Sequence, residues 1–512
     1  MNNSIKNLSK KVLLVILDGY GINSNNLKNA VKDANTPVID KIFKNFPFTT
    51  IEAGGELVGL PKGIAGNSEV GHMNIGAGTA VRQDLVRINE SISNNSLPGL
   101  PEFKNLIENA QNSSKTVHLI GLLSDGGVHS HINHIKYLIK ELNNFPDIKI
   151  CFHALMDGRD TQKDSGIKYI NDLMNSNLNF NFSSISGRSI GMDRDQRWEK
   201  IEHYYKTITG QGKITEQLPV DYINEEYKNN LFDEFITPAL FNKNDSIKND
   251  DCVFFVNFRP DRAIELTLSL TTKDFDKFQR DIIPNYFLCM TPYVQDIIDL
   301  PILFDKEPLT GGLSETLSRN QVKQYKIAET EKYAHITYFF NGGKKEAFPK
   351  ESQVLIPSPK DVTTYDLKPE MSAYKVCNKL SEAIENDLAD FYLVNFANSD
   401  MVGHTGNYEA AIKAVETLDD CVSKLQKICS EKDVTMIITA DHGNSDEMQY
   451  NNGQCHTSHT KAQVPLCIVN QKLSNECELN GDSFALKDIA PTILNIMGFE
   501  IPERFTGKPI FK

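Results

Sequence analysis

Short apolar runs of strand length recur along the whole chain, and most of them end in polar or charged residues. The first run, residues 12–17 (VLLVIL), leads directly into Asp18. A continuous apolar run of this length is typical of a strand that is buried on both faces of a parallel sheet. Helical patterns lie between the runs, for example at residues 132–142 and 198–207. This alternation predicts an α/β fold with a second sheet, in which ligands bind beyond the carboxyl ends of the strands.

The length and composition of the chain exclude several classes of protein. Its 512 residues are too many for one hydrophobic core, so two or three domains are expected. The formal charge of −13 argues against nucleic acid and anionic membranes as partners. The nine cysteines include no C-x-x-C pair and indicate free thiols in a reducing compartment. No apolar run is long enough for a signal peptide or a membrane span, so we expect a cytoplasmic protein. We also expect a monomer that acts on a small molecule.

Arginine is scarce, and its distribution is uneven. Only 11 of the 54 basic residues are arginine. Five of them follow strand-like runs in the middle of the chain: Arg159, Arg188, Arg194, Arg259 and Arg262. Each alone could be a salt-bridge partner, but guanidinium groups are also suited to paired hydrogen bonds with anions. Five at equivalent positions in the fold predict one pocket for an anion.

A glycine-rich stretch, residues 63–72 (GIAGNSEVGH), places the hydroxyl of Ser68 among small neighbours. Its glycines allow a tight turn and a close approach to a ligand, which predicts a loop. A serine in such a loop is often an idle surface residue. It becomes a nucleophile where a neighbouring group lowers its pKa. Both interpretations of Ser68 are open at this level.

Aspartates and histidines elsewhere favour the second interpretation. Three carboxylates follow apolar runs, and three histidines lie close to two of them in sequence: Asp18, Asp400, Asp441, His404, His442 and His459. Asp400 and His404 are four residues apart and share a face if the segment is helical. A set of aspartates and histidines without cysteine suits two divalent ions, Mn²⁺ most naturally, with Mg²⁺, Co²⁺ or Zn²⁺ as alternatives. Two such ions would activate a serine hydroxyl for phosphoryl transfer.

Six motifs, in order along nearly the whole chain, resemble those of the cofactor-independent phosphoglycerate mutases, a family of the alkaline phosphatase superfamily. They are DGYG at 18–21, GNSEVGH at 66–72, DGRD at 157–160, NFRPDR at 257–262, NSDMVGH at 398–404 and TADHGN at 439–444. The resemblance implies two α/β domains. One is a discontinuous, phosphatase-like metal domain of residues 1–79 and 311–512. The other is an inserted transferase domain of residues 80–310 that binds the substrate.

The resemblance also implies roles for single residues. One Mn²⁺ would be held by Asp400, His404 and His459, and the other by Asp18, Ser68, Asp441 and His442. Substrate contacts would be His129, Arg159, Asp160, Arg188, Arg194, Arg259, Arg262 and Lys332. We expect Lys332 near a strand-to-loop junction, where it would stabilise charge at Ser68.

The implied activity is that of an isomerase of glycolysis and gluconeogenesis. It would interconvert 3-phosphoglycerate and 2-phosphoglycerate through a phosphoserine at Ser68, without 2,3-bisphosphoglycerate. One alternative is a metal-dependent phosphomonoesterase of the same superfamily, which needs no arginine-bearing insert. Another is a non-enzymatic metal- or anion-binding protein, which would be expected to have lost part of the serine, aspartate and histidine set.

Overall fold

The computed structural model describes residues 4–24, 27–294, 297–306, 309–473 and 477–512. The chain forms two compact units, one of residues 1–83 and 308–512, the other of residues 84–307. Each unit has its own mainly parallel sheet with helices, so the fold is α/β. Within the described ranges, no helix is both long enough and apolar enough to cross a membrane.

The strands and helices follow one another along the chain in α/β alternation. The strands are β1 (Val12–Leu17), β2 (Phe48–Ile51), β3 (Thr116–Leu122), β4 (Lys149–Met156), β5 (Asn181–Gly187), β6 (Ala239–Leu240), β7 (Cys252–Phe255), β8 (Tyr286–Cys289), β9 (Gln324–Glu329), β10 (Glu351–Ile356), β11 (Phe391–Phe396), β12 (Thr435–Thr439) and β13 (Val464–Val469). The helices are α1 (Ala30–Asp33), α2 (Pro37–Asn45), α3 (Ser68–Ala77), α4 (Asp84–Ser93), α5 (Pro101–Gln111), α6 (Ile132–Leu142), α7 (Gly166–Met174), α8 (Arg188–Gly191), α9 (Trp198–Ile208), α10 (Pro219–Lys228), α11 (Ile264–Thr271), α12 (Leu313–Arg319), α13 (Thr330–Ala334), α14 (Ala373–Glu385), α15 (Asn398–Gly403), α16 (Tyr408–Glu431) and α17 (Ile489–Met497).

The sheet of the discontinuous unit has the order β10-β9-β11-β1-β12-β13-β2. Its first five strands are parallel, and β13 and β2 are antiparallel to their neighbours. Every residue of the central strands β11, β1 and β12 is buried, as their continuous apolar runs predict. Because these three strands are adjacent and parallel, the segments that follow them meet at one edge of the sheet.

The sheet of the other unit has the order β6-β5-β4-β3-β7-β8 and is parallel except for β6. The apolar run at residues 253–258 predicts a strand of that length, but strand β7 ends earlier, at Phe255. The cause is local, because the side chain of Asn257 accepts a hydrogen bond from the backbone of Leu122 at 2.9 Å, in place of a ladder bond. The helix predicted at 132–142 is confirmed, and the one at 198–207 extends one residue further.

Candidate active site

Ser68 is the first residue of helix α3, so the prediction of a loop serine is wrong in part. The side chain of Asn67 caps the helix by accepting a hydrogen bond from the backbone of Val70 at 3.0 Å. Gly71 lets the helix lie against the segment after β12, since a β-carbon there would be 2.7 Å from the carbonyl oxygen of Asp441. The glycines therefore serve close packing of a helix as well as the turn before it.

The three aspartates meet at the carboxyl edge of the sheet, and all are buried. Asp18 directly follows β1, and Asp441 follows β12 after one intervening residue. Asp400 does not lie at the end of a strand but inside helix α15, which follows β11. As the helical spacing predicts, the Nε2 atom of His404 lies 3.2 Å from Oδ1 of Asp400.

Each of the three histidines is fixed by a hydrogen bond from its Nδ1 atom to a backbone carbonyl. The acceptors are Thr457 for His404 at 2.7 Å, Gly66 for His459 at 2.9 Å and Gly443 for His442 at 3.2 Å. A carbonyl oxygen only accepts, so Nδ1 carries the hydrogen in all three rings. When these rings are neutral, their Nε2 atoms therefore face the carboxylates with a free lone pair, which is the arrangement of histidines that bind metals.

These side chains form two adjacent groups. In the first, the Nε2 atoms of His404 and His459 lie 3.1 Å apart and 3.2 and 3.4 Å from Oδ1 of Asp400. In the second, the hydroxyl of Ser68 lies 2.9 Å from Nε2 of His442 and 3.3 Å from Oδ1 of Asp18. Nε2 of His442 is also 3.5 Å from Asp18 and 3.5 Å from Asp441. The rings of His442 and His459 stack at 3.9 Å, so the two groups touch.

Lys332 lies between the two groups. Its Nζ atom is 2.7 Å from Asp18, 2.7 Å from the Ser68 hydroxyl and 2.6 Å from Asp400. It is carried by the short helix α13, directly after β9, and not by the predicted strand-to-loop junction. Burial disfavours its ammonium form, but the charges of Asp18 and Asp400 outweigh burial and raise the pKa of Lys332.

The carboxylates carry more negative charge than Lys332 balances. Burial and the charge of Asp441 raise the pKa of Asp18. Burial alone would also raise the pKa of Asp400. The charge of Lys332 and hydrogen bonds with His404 and His459 instead hold the pKa of Asp400 well below its usual value. The buried Oδ2 atom of Asp441 accepts no hydrogen bond from the residues that the structure describes. Oxygen and imidazole donors with this surplus of negative charge fit divalent cations.

In the other unit, four of the five predicted arginines contact carboxylates, but Arg194 follows the short helix α8 and not a strand, contrary to the prediction. Arg188 is buried and donates to Asp157 at 2.6 Å and to Asp160 at 2.5 Å. Asp261 accepts from Arg194 at 2.8 Å and from Arg259 at 3.1 Å. Arg159 is half exposed, 3.9 Å from Glu234.

Arg262 differs from the other four. Its Nη1 atom donates to the backbone carbonyl of Met192 at 3.0 Å, and it has no ion pair with any carboxylate of the described ranges. Burial lowers the pKa of Arg262, and repulsion from Arg188, Arg194 and Arg159 adds to the effect. An anion beside Arg262 would relieve that repulsion.

His129 lies beside these arginines. Its Nδ1 atom is 3.7 Å from Asp261 and has no hydrogen-bond partner among the described residues. Burial and the charge of Arg188 lower the pKa of His129 to about 4, so its ring is neutral at neutral pH. A neutral, buried imidazole with an unpartnered nitrogen can exchange a proton with a bound hydroxyl group.

Three buried residues for which the sequence predicts no role support these sites: Asp157, His72 and Asn395. Asp157 accepts from the backbone of Arg159 at 3.2 Å and of Asp160 at 3.0 Å, and so shapes the DGRD loop. His72 and Asn395 lie behind Ser68. The available signals were the four-residue spacing of His72 from Ser68 on a helix and the single amide inside the apolar run of β11.

Comparisons with known proteins agree with this geometry. The metalloenzyme superfamily model matches residues 10–501. The chain is 45% identical to a 2,3-bisphosphoglycerate-independent phosphoglycerate mutase of Clostridium novyi, over 98% of this chain and 99% of that protein. It is also 45% identical to the protein of that name from Clostridioides difficile, over 98% of this chain and 99% of that protein.

A solved structure is similar over the same length. It is a crystal structure of Leishmania mexicana phosphoglycerate mutase at low cobalt concentration. The TM-score is 0.68 and the sequence identity 31%, with 98% of this chain and 97% of that chain covered. On these matches, the chain belongs to the 2,3-bisphosphoglycerate-independent phosphoglycerate mutases, within the metalloenzyme superfamily.

Proposed function

We propose that the protein is an isomerase that interconverts 3-phosphoglycerate and 2-phosphoglycerate by moving one phosphoryl group through Ser68. The observation that carries this proposal is the position of the Ser68 hydroxyl, 2.7 Å from the ammonium nitrogen of Lys332 and beside two aspartate–histidine groups. The names of the relatives, over nearly their full length, support the same reaction without 2,3-bisphosphoglycerate.

The metal ligands that we propose are the two groups of side chains around Ser68. Asp400, His404 and His459 would hold one Mn²⁺, and Asp18, Ser68, Asp441 and His442 would hold the other. The short distances within each group support this assignment. So do the lone pairs of the three Nε2 atoms. When bound, such ions favour the ionised hydroxyl of the serine and offset charge on the phosphoryl group.

The residues around Ser68 explain why it would act as the nucleophile. Lys332 donates a hydrogen bond to its hydroxyl oxygen and favours the alkoxide form. Ser68 also begins a ten-residue helix, whose unpaired backbone N–H groups favour an anion at this end. In the first half of the reaction, a bond forms between the Ser68 oxygen and phosphorus, and the bond from phosphorus to the glycerate oxygen breaks.

The second half requires that glycerate is retained. We propose that Arg262, with the neighbouring arginines, binds its carboxylate through charge-assisted hydrogen bonds. The repulsion among Arg262, Arg188 and Arg194 supports this role, because an anion would offset it. Asp160 and the neutral His129 would take a proton from one hydroxyl group of glycerate and return it to the other. The other hydroxyl oxygen then attacks phosphorus, and the bond to Ser68 breaks.

Phosphoryl transfer to Ser68 and the binding of glycerate would belong to two different domains. Residues 1–79 and 311–512 would form the metal-binding, phosphatase-like domain, and residues 80–310 the inserted transferase domain. The two compact units, whose limits lie within a few residues of these, support the division. We further propose a cytoplasmic monomer that serves glycolysis and gluconeogenesis. Buried free cysteines such as Cys151, Cys252 and Cys467 support a reducing compartment.

A metal-dependent phosphomonoesterase would use the same serine and metal ligands, but it would release the alcohol. The test is incubation of the Mn²⁺-loaded protein with 3-phosphoglycerate, in the absence of 2,3-bisphosphoglycerate. We expect 2-phosphoglycerate to accumulate to equilibrium with little free phosphate. Stoichiometric release of phosphate without 2-phosphoglycerate would identify a phosphatase instead.

A further inference from the structure

Two buried side chains behind Ser68 link it to the aspartates of its group. His72 and Asn395 are both fully buried, and neither belongs to the proposed metal ligands or substrate contacts. Nδ2 of Asn395 lies 2.9 Å from Nε2 of His72 and 2.7 Å from Oδ2 of Asp18. Nδ1 of His72 lies 2.8 Å from the carbonyl oxygen of Ser68 and 3.3 Å from Oδ2 of Asp441.

The orientation of the Asn395 amide follows from its neighbours. Its nitrogen faces a carboxylate oxygen of Asp18 at 2.7 Å, where an amide oxygen would be repelled. The amide nitrogen carries two hydrogens, and it has two acceptors, Asp18 and Nε2 of His72. Both of its donors are therefore used inside the site.

This orientation also fixes the protonation of His72. An amide N–H group only donates, so Nε2 of His72 accepts and its hydrogen lies on Nδ1. Nδ1 then donates to the carbonyl oxygen of Ser68, with Asp441 close by. The result is one chain of hydrogen bonds that runs from the carboxylate of Asp18 through the uncharged side chains of Asn395 and His72 to the backbone of Ser68.

We propose that His72 and Asn395 are a positioning pair, which orients Ser68, Asp18 and Asp441 relative to one another for phosphoryl transfer. The inference rests on the proposed function of that group. The pair is neutral, so it adds no charge to the site and acts only through the groups that it holds. Partners of this kind, behind metal ligands, change metal affinity or activity by about 10- to 100-fold when they are removed.

The pair touches only the second group of metal ligands. It contacts Ser68, Asp18 and Asp441, whereas Asp400 and the rings of His404 and His459 have other partners. Loss of the pair should therefore weaken one metal site and leave the other unchanged. A merely structural role would weaken the whole fold and both sites together.

The test uses Asn395→Leu, which keeps the side-chain volume but cannot donate, and His72→Asn. An asparagine at position 72 can still donate to the Ser68 carbonyl but is too short to reach Asn395. The matched control is Asn74→Leu. Asn74 lies on the same helix, is also fully buried, and donates to the backbone of Val58 at 3.0 Å and Val70 at 2.8 Å, away from the site.

Three quantities are measured on each full-length variant. They are the two Mn²⁺ affinities by calorimetry, the phosphoserine at Ser68 after rapid quenching, and kcat and KM separately. We expect both pair variants to lower one Mn²⁺ affinity and kcat by about 10- to 100-fold, with KM nearly unchanged. The double variant should lose no more than the worse single variant, because the two residues act through each other. The control should lower the thermal midpoint of the metal-free protein without these effects.

Two results would contradict the proposed positioning role of His72 and Asn395. One is a pair variant with both Mn²⁺ affinities and kcat like those of the wild type. The other is equal weakening of both metal sites together with the thermal midpoint, as for a purely structural residue. The Mn²⁺ titration does not depend on the reaction, so it tests the pair even if wild-type protein proves to be a phosphatase. Wild-type protein without mutase activity would count against the proposed function alone.

Discussion

The ammonium nitrogen of Lys332 lies 2.7 Å from the hydroxyl oxygen of Ser68, in a site where both residues are buried. The same nitrogen contacts Asp18 and Asp400, one from each group of proposed metal ligands. The positive charge of Lys332 therefore lies against the nucleophile and against one aspartate of each group of proposed metal ligands. Substitution of Lys332 should therefore reduce the stabilisation of negative charge at Ser68 without preventing the binding of metal.

We expect Lys332→Met to slow formation of phosphoserine by about 10²- to 10³-fold, the usual effect of losing one donor to a developing oxyanion. Mn²⁺ binding should persist, because the substitution removes a positive charge from the site. The measurement is rapid-quench phosphorylation beside Mn²⁺ calorimetry. The matched control is Lys326→Met, since Lys326 is equally buried but contacts Ser314 and Asn341 instead. Equal slowing in both variants would argue against a specific role for Lys332.

Ser68→Ala should abolish mutase activity, by on the order of 10⁴-fold or more, because no other oxygen can accept the phosphoryl group at this position. Mn²⁺ binding should only weaken, since Asp18, Asp441 and His442 remain. Ser399→Ala is the control, because its buried hydroxyl donates to the backbone carbonyl oxygen of Asp18 at 2.7 Å. Mass spectrometry of quenched wild-type protein should find phosphate on Ser68. Phosphate on another residue would contradict the assignment.

Activity at limiting Mn²⁺ should fall as the pH decreases from about 8 to about 6, and added Mn²⁺ should restore it. A hydrogen bond to Asp400 raises the pKa of His404, so without metal this ring keeps its proton to a higher pH than usual. In the metal-free protein, the contact between the protonated ring and Asp400 adds stability below about pH 6.5, and that stability is lost as the pH rises through the raised pKa. A metal ligand must be neutral, so protons compete with Mn²⁺.

The control for this pH dependence is the same profile at saturating Mn²⁺, which should be flatter. Activity that stays constant between pH 6 and 8 at limiting metal would show that no proton is displaced on binding. Calorimetry in buffers of different ionisation enthalpy checks the result independently, because it counts the protons released for each Mn²⁺ bound.

Arg262→Ala should lose mutase turnover by far more than it loses phosphoserine formation, and its ratio of free phosphate to isomerised product should rise. The reason is that glycerate, once dephosphorylated, would leave before the second transfer. Arg280→Ala is a suitable control, since Arg280 is half-buried and, like Arg262, donates to a backbone carbonyl, that of Ser269, at 2.9 Å. An unchanged ratio together with a lowered thermal midpoint would show that Arg262 only supports the structure.

The sequence predicts some elements well for physical reasons. Strands β1 and β11 coincide with the apolar runs at residues 12–17 and 391–396, because both lie in the middle of a sheet and are buried on both faces. Ser68 was predicted in a loop because its neighbours are poor helix formers. Packing of Gly71 against Asp441 and capping by Asn67 outweigh that propensity.

The contacts within the site are harder to predict from the sequence. The six aspartates and histidines could be proposed because each follows a strand-like run or lies in a recognisable motif. The Asn395–His72 contact joins residues 323 positions apart, and no spacing indicates it. The environment of Arg262 is also beyond prediction, because the carboxylates nearest to it in sequence, Asp261 and Glu265, bind other groups. The roles of the site residues stay predictions until the variants are measured.

The central claim is that one phosphoryl group passes through Ser68 while its own glycerate stays bound. It is tested most directly by incubating Mn²⁺-loaded protein with uniformly ¹³C-labelled 3-phosphoglycerate, excess unlabelled glycerate and no 2,3-bisphosphoglycerate, and by mass analysis of the products. The account predicts 2-phosphoglycerate that is fully ¹³C-labelled, with little free phosphate. Unlabelled 2-phosphoglycerate, or free phosphate released in step with ¹³C-labelled glycerate, would contradict it.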